Sequence, residues 1–246
     1  MAKHRVDVLL VERGLAPTRA RAQALVLAGQ VYSGEQRVDK AGTLLAADAP
    51  LTVRGEAHPY ASRGGVKLAG ALDAFGLDVR GARCLDVGAS TGGFTDCLLQ
   101  RGATHVVAVD VGYGQLAQKL RTDPRVTNLE RTNARDLEPH AIGGPADVVV
   151  VDASFIGLGK LAAALFRNAR PGGILVALIK PQFEVGREEA ARGKGVVRDA
   201  GVRRAAIDEA RRDLEAAGWR VEGEADSAIA GPKGNVEAFV WCRRPS

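Results

Sequence analysis

The sequence has few cysteines and aromatic residues, and its cysteines and histidines do not cluster. Its 246 residues include three cysteines and 4% aromatic residues. Cys84, Cys97 and Cys242 are far apart and odd in number, which argues against a disulfide framework and indicates reduced thiols. The four histidines are scattered as well, so no metal site is expected.

Long apolar runs are also lacking. The longest, such as Ile174–Ile179, reach about a third of the length that a membrane helix needs. No apolar segment follows the charges of the N-terminus, Met-Ala-Lys-His-Arg-Val-Asp, so a signal peptide is not expected. We therefore expect a cytoplasmic protein that binds no membrane. The formal net charge of +5 permits a nucleic-acid partner without requiring one.

A change of pattern near residue 60 predicts two domains. Residues 1–60 contain two short helical segments, near 5–14 and 19–28, followed by short strands around Val31, Val38 and Leu51–Val53. A linker is expected at about 55–61. Residues 61–246 alternate apolar strands with helices, which predicts an α/β fold with a mostly parallel sheet covered on both faces. Ligands of such sheets bind at the carboxyl ends of the strands, near the point where strand order reverses.

A glycine-rich loop follows the predicted strand 83–87. It reads Asp86-Val-Gly88-Ala-Ser90-Thr91-Gly92-Gly93-Phe94-Thr, and Asp110 ends the next strand. Glycines allow close backbone approach to a ligand, and Asp110 is placed to accept hydrogen bonds from a ribose diol. A dinucleotide fingerprint would have a glycine where Ser90 stands, and Asp86 would repel a pyrophosphate. A cationic ligand that carries an amino acid fits better, although a dinucleotide-dependent oxidoreductase remains the alternative.

Two charged residues follow neighbouring predicted strands. Asp152 ends the predicted strand that begins at residue 147, and Lys180 directly follows Ile174–Ile179. Because one crossover separates these strands, both side chains are expected at one edge of the sheet. A half-buried ammonium group beside a second cation loses its proton more readily, whereas a nearby carboxylate opposes that loss. Lys180 is therefore a candidate for moving a proton.

The motifs together resemble those of a known family. The glycine-rich loop is similar to the S-adenosylmethionine loop of FtsJ-like ribose methyltransferases, and residues 1–60 resemble an S4 RNA-binding domain. Ser62-Arg-Gly-Gly-x-Lys67-Leu, Val-Asp152-Ala-Ser-Phe-Ile and Leu-Ile-Lys180-Pro-Gln-Phe-Glu complete a resemblance to the TlyA family over essentially the full chain. Some members of that family are also called haemolysins, but the sequence has no pattern typical of a pore.

The resemblance implies a Rossmann-like class I methyltransferase with a seven-stranded sheet at 61–246 and an S4-like domain at 1–60. It implies transfer of a methyl group from S-adenosylmethionine to the ribose 2′-OH of cytidine in 23S and, for some members, 16S ribosomal RNA. The implied catalytic set is Lys67, Asp152, Lys180 and Glu237, with Lys180 handling the proton, Lys67 and Glu237 positioning the ribose, and Asp152 orienting the lysines.

The implied cofactor residues are Asp86, Gly88, Ser90, Thr91, Gly92, Gly93, Phe94, Asp110 and Asp136. The implied RNA-binding residues are Arg5, Arg13, Arg19, Arg21, Arg37, Lys40 and Arg63. The partner would be ribosomal RNA or a ribosomal subunit, bound by a monomer. The loop 184–198, with Arg187, Arg192, Lys194 and Arg198, is expected to close over the RNA. A non-catalytic RNA-binding or haemolysin-like protein is the remaining alternative, which the intact catalytic set disfavours.

Overall fold

The computed structural model of the protein describes residues 3–16, 18–27, 29–54, 58–154, 156–185, 196–231 and 234–246. The chain forms two compact units, Met1–Pro59 and Tyr60–Ser246. Arg187, Arg192 and Lys194 of the predicted RNA loop lie outside the described residues. Arg198 is described and is exposed.

The first unit is a small α+β domain. Its elements are β1 (Lys3–Arg5), α1 (Val6–Glu12), α2 (Arg19–Leu27), β2 (Val31–Ser33), β3 (Gln36–Arg37), β4 (Leu44–Ala46) and β5 (Leu51–Val53). One sheet has the order β3-β2-β5 and a second pairs β1 with β4. The apolar faces of both helices meet in a core that includes Leu9, Leu10 and Val26. Strands β1 and β4 were not predicted; β1 consists of Lys3, His4 and Arg5, which include no apolar residue that would indicate a strand.

The second unit contains a seven-stranded sheet. Its strands are β6 (Arg83–Val87), β7 (His105–Val109), β8 (Val126–Leu129), β9 (Ala146–Val151), β10 (Ala169–Ile179), β11 (Arg220–Asp226) and β12 (Ala238–Arg243). Its helices are α3 (Gly64–Phe75), α4 (Gly93–Gln100), α5 (Gln118–Arg121), α6 (Gly159–Asn168), α7 (Pro181–Glu184) and α8 (Ala200–Ala216). The strand order is β11-β12-β10-β9-β6-β7-β8, and β12 pairs antiparallel with both of its neighbours. The predicted mostly parallel α/β sheet is confirmed.

Both faces of the sheet are buried. In β9, Val149 and Val151 belong to one apolar core, whereas Val148 and Val150 belong to the other. This alternation follows from the two-residue period of a strand, and it explains why residues 148–151 of β9 are all apolar. Functional polar groups of this unit are therefore expected at the strand ends.

The strand order reverses between β6 and β9. The chain runs from β6 to β7 and β8 on one side, and then returns to place β9 on the other side of β6. At this switch point, Gly88 has a φ of +83°, and a Cβ there would lie 2.8 Å from the backbone oxygen of Asp152. Glycine thus allows the loop after β6 to contact the segment after β9. This crevice is where α/β sheets bind their ligands.

One local prediction needs correction, and one helix was not predicted. The alternating pattern of residues 61–246 predicts a helix at 115–120, but Ala117 donates its backbone N–H to the carbonyl of Thr91 and α5 begins only at Gln118. The short helix α7 was not predicted. It begins at Pro181, a residue whose fixed φ suits the first position of a helix, and directly follows Lys180.

Candidate active site at the carboxyl edge of the sheet

Asp86 is the most buried acidic side chain of the glycine-rich loop region. It is 0% exposed, and Thr95 Oγ1 donates a hydrogen bond of 2.6 Å to its Oδ2. Among the described residues, no donor reaches its Oδ1. Burial raises the pKa of Asp86 to about 7, with the charge of Asp152 adding to the rise and the Thr95 hydrogen bond opposing it. The site thus holds a buried carboxyl oxygen that can accept a hydrogen bond from a ligand.

Asp110 is held by the backbone of the loop. Its Oδ2 accepts from the Ser90 N–H at 2.8 Å and its Oδ1 from the Gly112 N–H at 2.7 Å. Ser90 has a φ of 47°, and its hydroxyl lies 3.1 Å from Oε1 of Gln115, which the sequence analysis did not single out. A carboxylate oxygen accepts more than one hydrogen bond, so Asp110 retains capacity for a ribose diol.

Three other predicted cofactor residues of the loop are in contact with neighbouring side chains or backbone groups. Gly92 has a φ of +94°, and a Cβ there would lie 2.3 Å from a side-chain carbon of Leu120. The carbonyl of Thr91 accepts from Ala117, and Phe94 is buried with its ring 6.1 Å from that of Phe239. These residues shape the loop through packing and backbone contacts.

Asp136 lies apart from the glycine-rich loop in sequence. It is exposed in the single-turn 3₁₀ helix Ala134–Asp136, which follows β8. Its backbone N–H donates to Asn133. Its predicted role at an adenine edge stays a prediction.

Lys180 and Asp152 form an ion pair at the ends of adjacent strands. The Nζ of Lys180 lies 2.5 Å from Oδ1 of Asp152, and the side chains are 11% and 22% exposed. Strands β9 and β10 are parallel neighbours, so their carboxyl ends share one edge of the sheet. The same Nζ lies 2.8 Å from Oγ of Ser154, which the sequence analysis did not assign.

Lys67 and Glu237 form a second, buried ion pair. Lys67 Nζ contacts Glu237 Oε2, and the residues are 6% and 1% exposed. Glu237 directly precedes Ala238, which pairs with Ile179 across β12 and β10. Glu237 and Lys180 are therefore neighbours at the same sheet edge. The structure thus places both ion pairs at that edge.

The helix that carries Lys67 contacts the glycine-rich loop directly. A Cβ at Gly93 would lie 2.2 Å from Oγ of Ser62 and 2.9 Å from the backbone nitrogen of Gly65. The first turns of α3 and α4 therefore touch through glycines. Close contact here ties the position of Lys67 to that of the loop.

Glu184 connects the two segments that follow β9 and β10. Its carboxylate accepts from the Leu158 N–H at 3.0 and 3.2 Å, and burial raises its pKa to about 7, with the charges of Asp213 and Glu209 adding to the rise. The sequence analysis quoted Glu184 only as the end of the Lys180 motif. A half-buried acid beside the Lys180 segment was thus missed.

The predicted RNA-binding residues fall into distinct groups. Asp7, 0% exposed, accepts hydrogen bonds from Arg5, Arg19 and Gln23, which hold its pKa far below the usual range. Arg37 of the first unit pairs with Asp39, and Arg13 donates to the carbonyls of Ala47 and Ala49. Arg63 lies in the second unit and donates to the carbonyl of Ala230 at 3.0 Å.

Arg21 and Lys40 are exposed, and the described structure shows no ion pair from either side chain. Across the described ranges, no group of three or more His, Cys, Asp or Glu residues could hold a metal ion. No helix in the described part of the chain is both long and apolar enough to cross a membrane.

Comparison with known families and proteins gives concordant matches. The FtsJ-like methyltransferase family matches residues 60–244, and the S4 domain family matches residues 4–49. The 16S/23S rRNA (cytidine-2′-O)-methyltransferase TlyA of Mycobacterium tuberculosis is 50% identical over 97% of this chain and 89% of its own length. Hemolysin A of Brachyspira hyodysenteriae is 39% identical over 95% of this chain and 97% of its own.

A solved structure extends the match to the fold. A Streptococcus thermophilus chain named as a candidate hemolysin superposes with a TM-score of 0.78 and 41% identity, covering 100% of this chain and 90% of its own. Profile matches, identity and fold agree over both units. The protein therefore belongs to the FtsJ-like methyltransferase family, in the TlyA branch that joins an S4 domain to the methyltransferase domain.

Proposed function

We propose that this protein methylates the ribose 2′-OH of cytidine in 23S and 16S ribosomal RNA, with S-adenosylmethionine as methyl donor. The observation that carries the proposal is the pairing of Lys180 with Asp152 and of Lys67 with Glu237 at one sheet edge. The relative in Mycobacterium tuberculosis is named for this reaction. The family match makes the dinucleotide-dependent oxidoreductase the weaker alternative.

The residues present fit the proposed methyl donor. Asp86 presents a buried carboxyl oxygen that lacks a donor among the described residues, which suits a cationic amino-acid end. Asp110 retains acceptor capacity for a ribose diol. When bound, S-adenosylmethionine supplies a methyl group on a positively charged sulfur. We assign Asp86, Gly88, Ser90, Gly92, Gly93 and Asp110 to hold it.

The four paired residues then act on the RNA ribose. A ribose hydroxyl is a poor nucleophile, and in-line attack requires it about 3 Å from the methyl carbon. Lys180 would accept the proton that leaves the 2′-oxygen as this oxygen takes over the methyl group, whose bond to the sulfonium sulfur breaks and leaves a neutral thioether. Asp152 orients the Lys180 amine, while Lys67 and Glu237 position the ribose from the neighbouring strand end.

The first unit would hold the RNA without reading its sequence. Among the predicted RNA-binding residues of this unit, Arg21 and Lys40 are exposed, and the described structure shows neither an ion pair nor a hydrogen bond from their side chains, so they are the best placed of that set to contact phosphates. Because the proposed substrate is ribosomal RNA, free or within a subunit, the proposed place of action is the cytoplasm. We propose that the protein acts there as a monomer.

The experiment measures transfer of labelled methyl groups to unmodified ribosomal subunits. We expect Lys180→Ala to lower transfer by about 100-fold or more while cofactor binding is retained, because general-base catalysis contributes rate at this order. The control is Lys160→Ala, which removes an exposed lysine of α6. Full activity of the Lys180 variant would refute the role of Lys180, and wild-type protein that methylates no ribose would refute the function.

A further inference from the structure

We propose that Ser154 is a positioning residue that keeps Lys180 hydrogen-bonded both before and after Lys180 takes up a proton. This inference rests on the proposed function, in which Lys180 receives the proton of the ribose hydroxyl. Its basis is the 2.8 Å separation between Lys180 Nζ and Ser154 Oγ, beside the 2.5 Å separation between Nζ and Asp152 Oδ1.

Both partners of Lys180 lie on one short segment that is fixed to the glycine-rich loop. The backbone N–H of Asp152 donates to the carbonyl of Val87 at 3.0 Å, where β6 ends. Gly88 lies so close that a Cβ would be 2.8 Å from the Asp152 oxygen. Asp152 and Ser154 therefore hold the Lys180 amine at a defined place relative to the loop that would bind the methyl donor.

The two partners differ in what they offer the amine. A protonated lysine has three N–H donors, and a carboxylate and a hydroxyl oxygen together accept two of them. Once the lysine is neutral, its nitrogen carries a lone pair that needs a donor. An ionised Asp152 only accepts, whereas the Ser154 hydroxyl both accepts and donates, and its hydrogen rotates freely.

Ser154 can therefore reverse its hydrogen bond as the proton moves. With neutral Lys180 and no RNA bound, the hydroxyl donates to the amine lone pair. When the ribose hydroxyl takes over that lone pair to pass on its proton, Ser154 rotates to accept an N–H of the amine instead. With charged Lys180, the hydroxyl accepts and the lone pair is gone. Ser154 is also exposed, so it lies on the side of the segment that solvent, and hence a substrate, can reach.

The test compares Ser154→Ala, which removes the hydroxyl, with Ser154→Thr, which retains it. Single-turnover methyl transfer is measured at saturating RNA and cofactor across pH, together with the KM for RNA and the Kd for the cofactor. We expect Ala to lower the maximal rate about tenfold or more, as loss of a hydrogen bond to a charged group does. The maximal rate of Ser154→Thr should stay within about threefold of the wild-type rate, and the KM for RNA and the Kd for the cofactor should be unchanged in both variants.

Two further readouts separate positioning from general structure. The hydrogen bond that the charged amine donates to Oγ is stronger than the one that the neutral amine accepts, so loss of the hydroxyl should move the half-maximal rate to a lower pH in Ser154→Ala. In NMR spectra of protein labelled with ¹⁵N-lysine, the Lys180 amine signal should broaden in Ser154→Ala through faster hydrogen exchange, but not in Ser154→Thr. Ser246→Ala, at the chain end, is the matched serine control.

The outcomes distinguish the two proposals. Wild-type protein that methylates no ribose would overturn the proposed function, while the Lys180 signal would still report on the hydrogen bond. An active wild type with unchanged rate, pH profile and Lys180 signal in Ser154→Ala would overturn the role of Ser154. An equal loss of rate in Ser154→Ala and Ser154→Thr, together with a lowered Tm, would overturn the role of Ser154 too, because it would show that the side chain contributes packing and not a hydrogen bond.

Discussion

Asp86 carries its proton at a pH where most carboxyl groups have lost theirs. Burial raises its pKa to about 7, and its Oδ1 lacks a donor among the described residues. A cationic ligand favours the ionised carboxylate, so its binding must release the proton from a protonated Asp86. Below pH 7 that release costs free energy, and above pH 7 it costs little.

Cofactor affinity should therefore rise with pH. We expect the Kd for S-adenosylmethionine to fall about 25-fold between pH 5.5 and 7.5, since the ionised fraction of a carboxyl group with a pKa of about 7 rises from about 3% to about 76% over that range. Isothermal titration calorimetry in two buffers of different ionisation enthalpy would show the released proton. Asp86→Asn should bind weakly without this pH dependence, and an equally steep dependence in that variant would assign the proton to another group.

Of the four predicted catalytic residues, Asp152 and Lys180 could be placed together from the sequence pattern, whereas Lys67 and Glu237 were selected only by the family resemblance. Asp152 and Lys180 follow apolar strands, so parallel pairing alone brings them together. Ser154 and Glu184 were not assigned, although both stand within quoted motifs. Their contacts with Lys180 and with the Leu158 N–H depend on side-chain rotamers and loop paths, which residue spacing does not reveal.

At the scale of elements, the contact between α3 and α4 connects two parts of the site. Gly93 begins α4, and a Cβ there would lie within 3.0 Å of both Ser62 Oγ and the Gly65 backbone nitrogen. A larger residue at 93 must therefore push apart the helix that carries Lys67 and the loop that would hold the cofactor. Spacing predicted both helices, but it gave no indication that their first turns touch.

Gly93→Ala should lower methyl transfer by about tenfold and destabilise the protein by about 1–3 kcal/mol, the usual cost of overpacking. Kinetics and urea unfolding measure the two effects. Gly201→Ala is the matched control, because Gly201 lies in the first turn of α8 and meets only a side-chain oxygen of Asp199. Adding Ser62→Gly should restore part of the loss, since it removes the nearest atom but leaves the backbone nitrogen; no restoration would contradict this contact as the cause.

At the scale of the whole molecule, the net charge indicates less about RNA binding than which cations are paired with carboxylates. Residues 1–60 contain eight Lys and Arg against six Asp and Glu, too small an excess to identify an RNA-binding face. The structure divides the predicted cations further, because Arg5 and Arg19 neutralise the buried Asp7. An arginine that is already paired with a carboxylate must break that ion pair, or bind both anions at once, to contact a phosphate.

Arg21 and Lys40 should therefore dominate the salt-dependent affinity for RNA. Each alanine substitution should remove about one phosphate contact and lower the slope of log affinity against log salt concentration by about 0.7–0.9. Filter binding to ribosomal RNA between 50 and 200 mM salt measures the slope. The rate at saturating RNA should not change, because neither residue belongs to the proposed catalytic set. Arg54→Ala is the control, since Arg54 lies in the same unit but is paired with Glu35; an equal loss of slope in that variant would show that pairing does not decide which cations bind RNA.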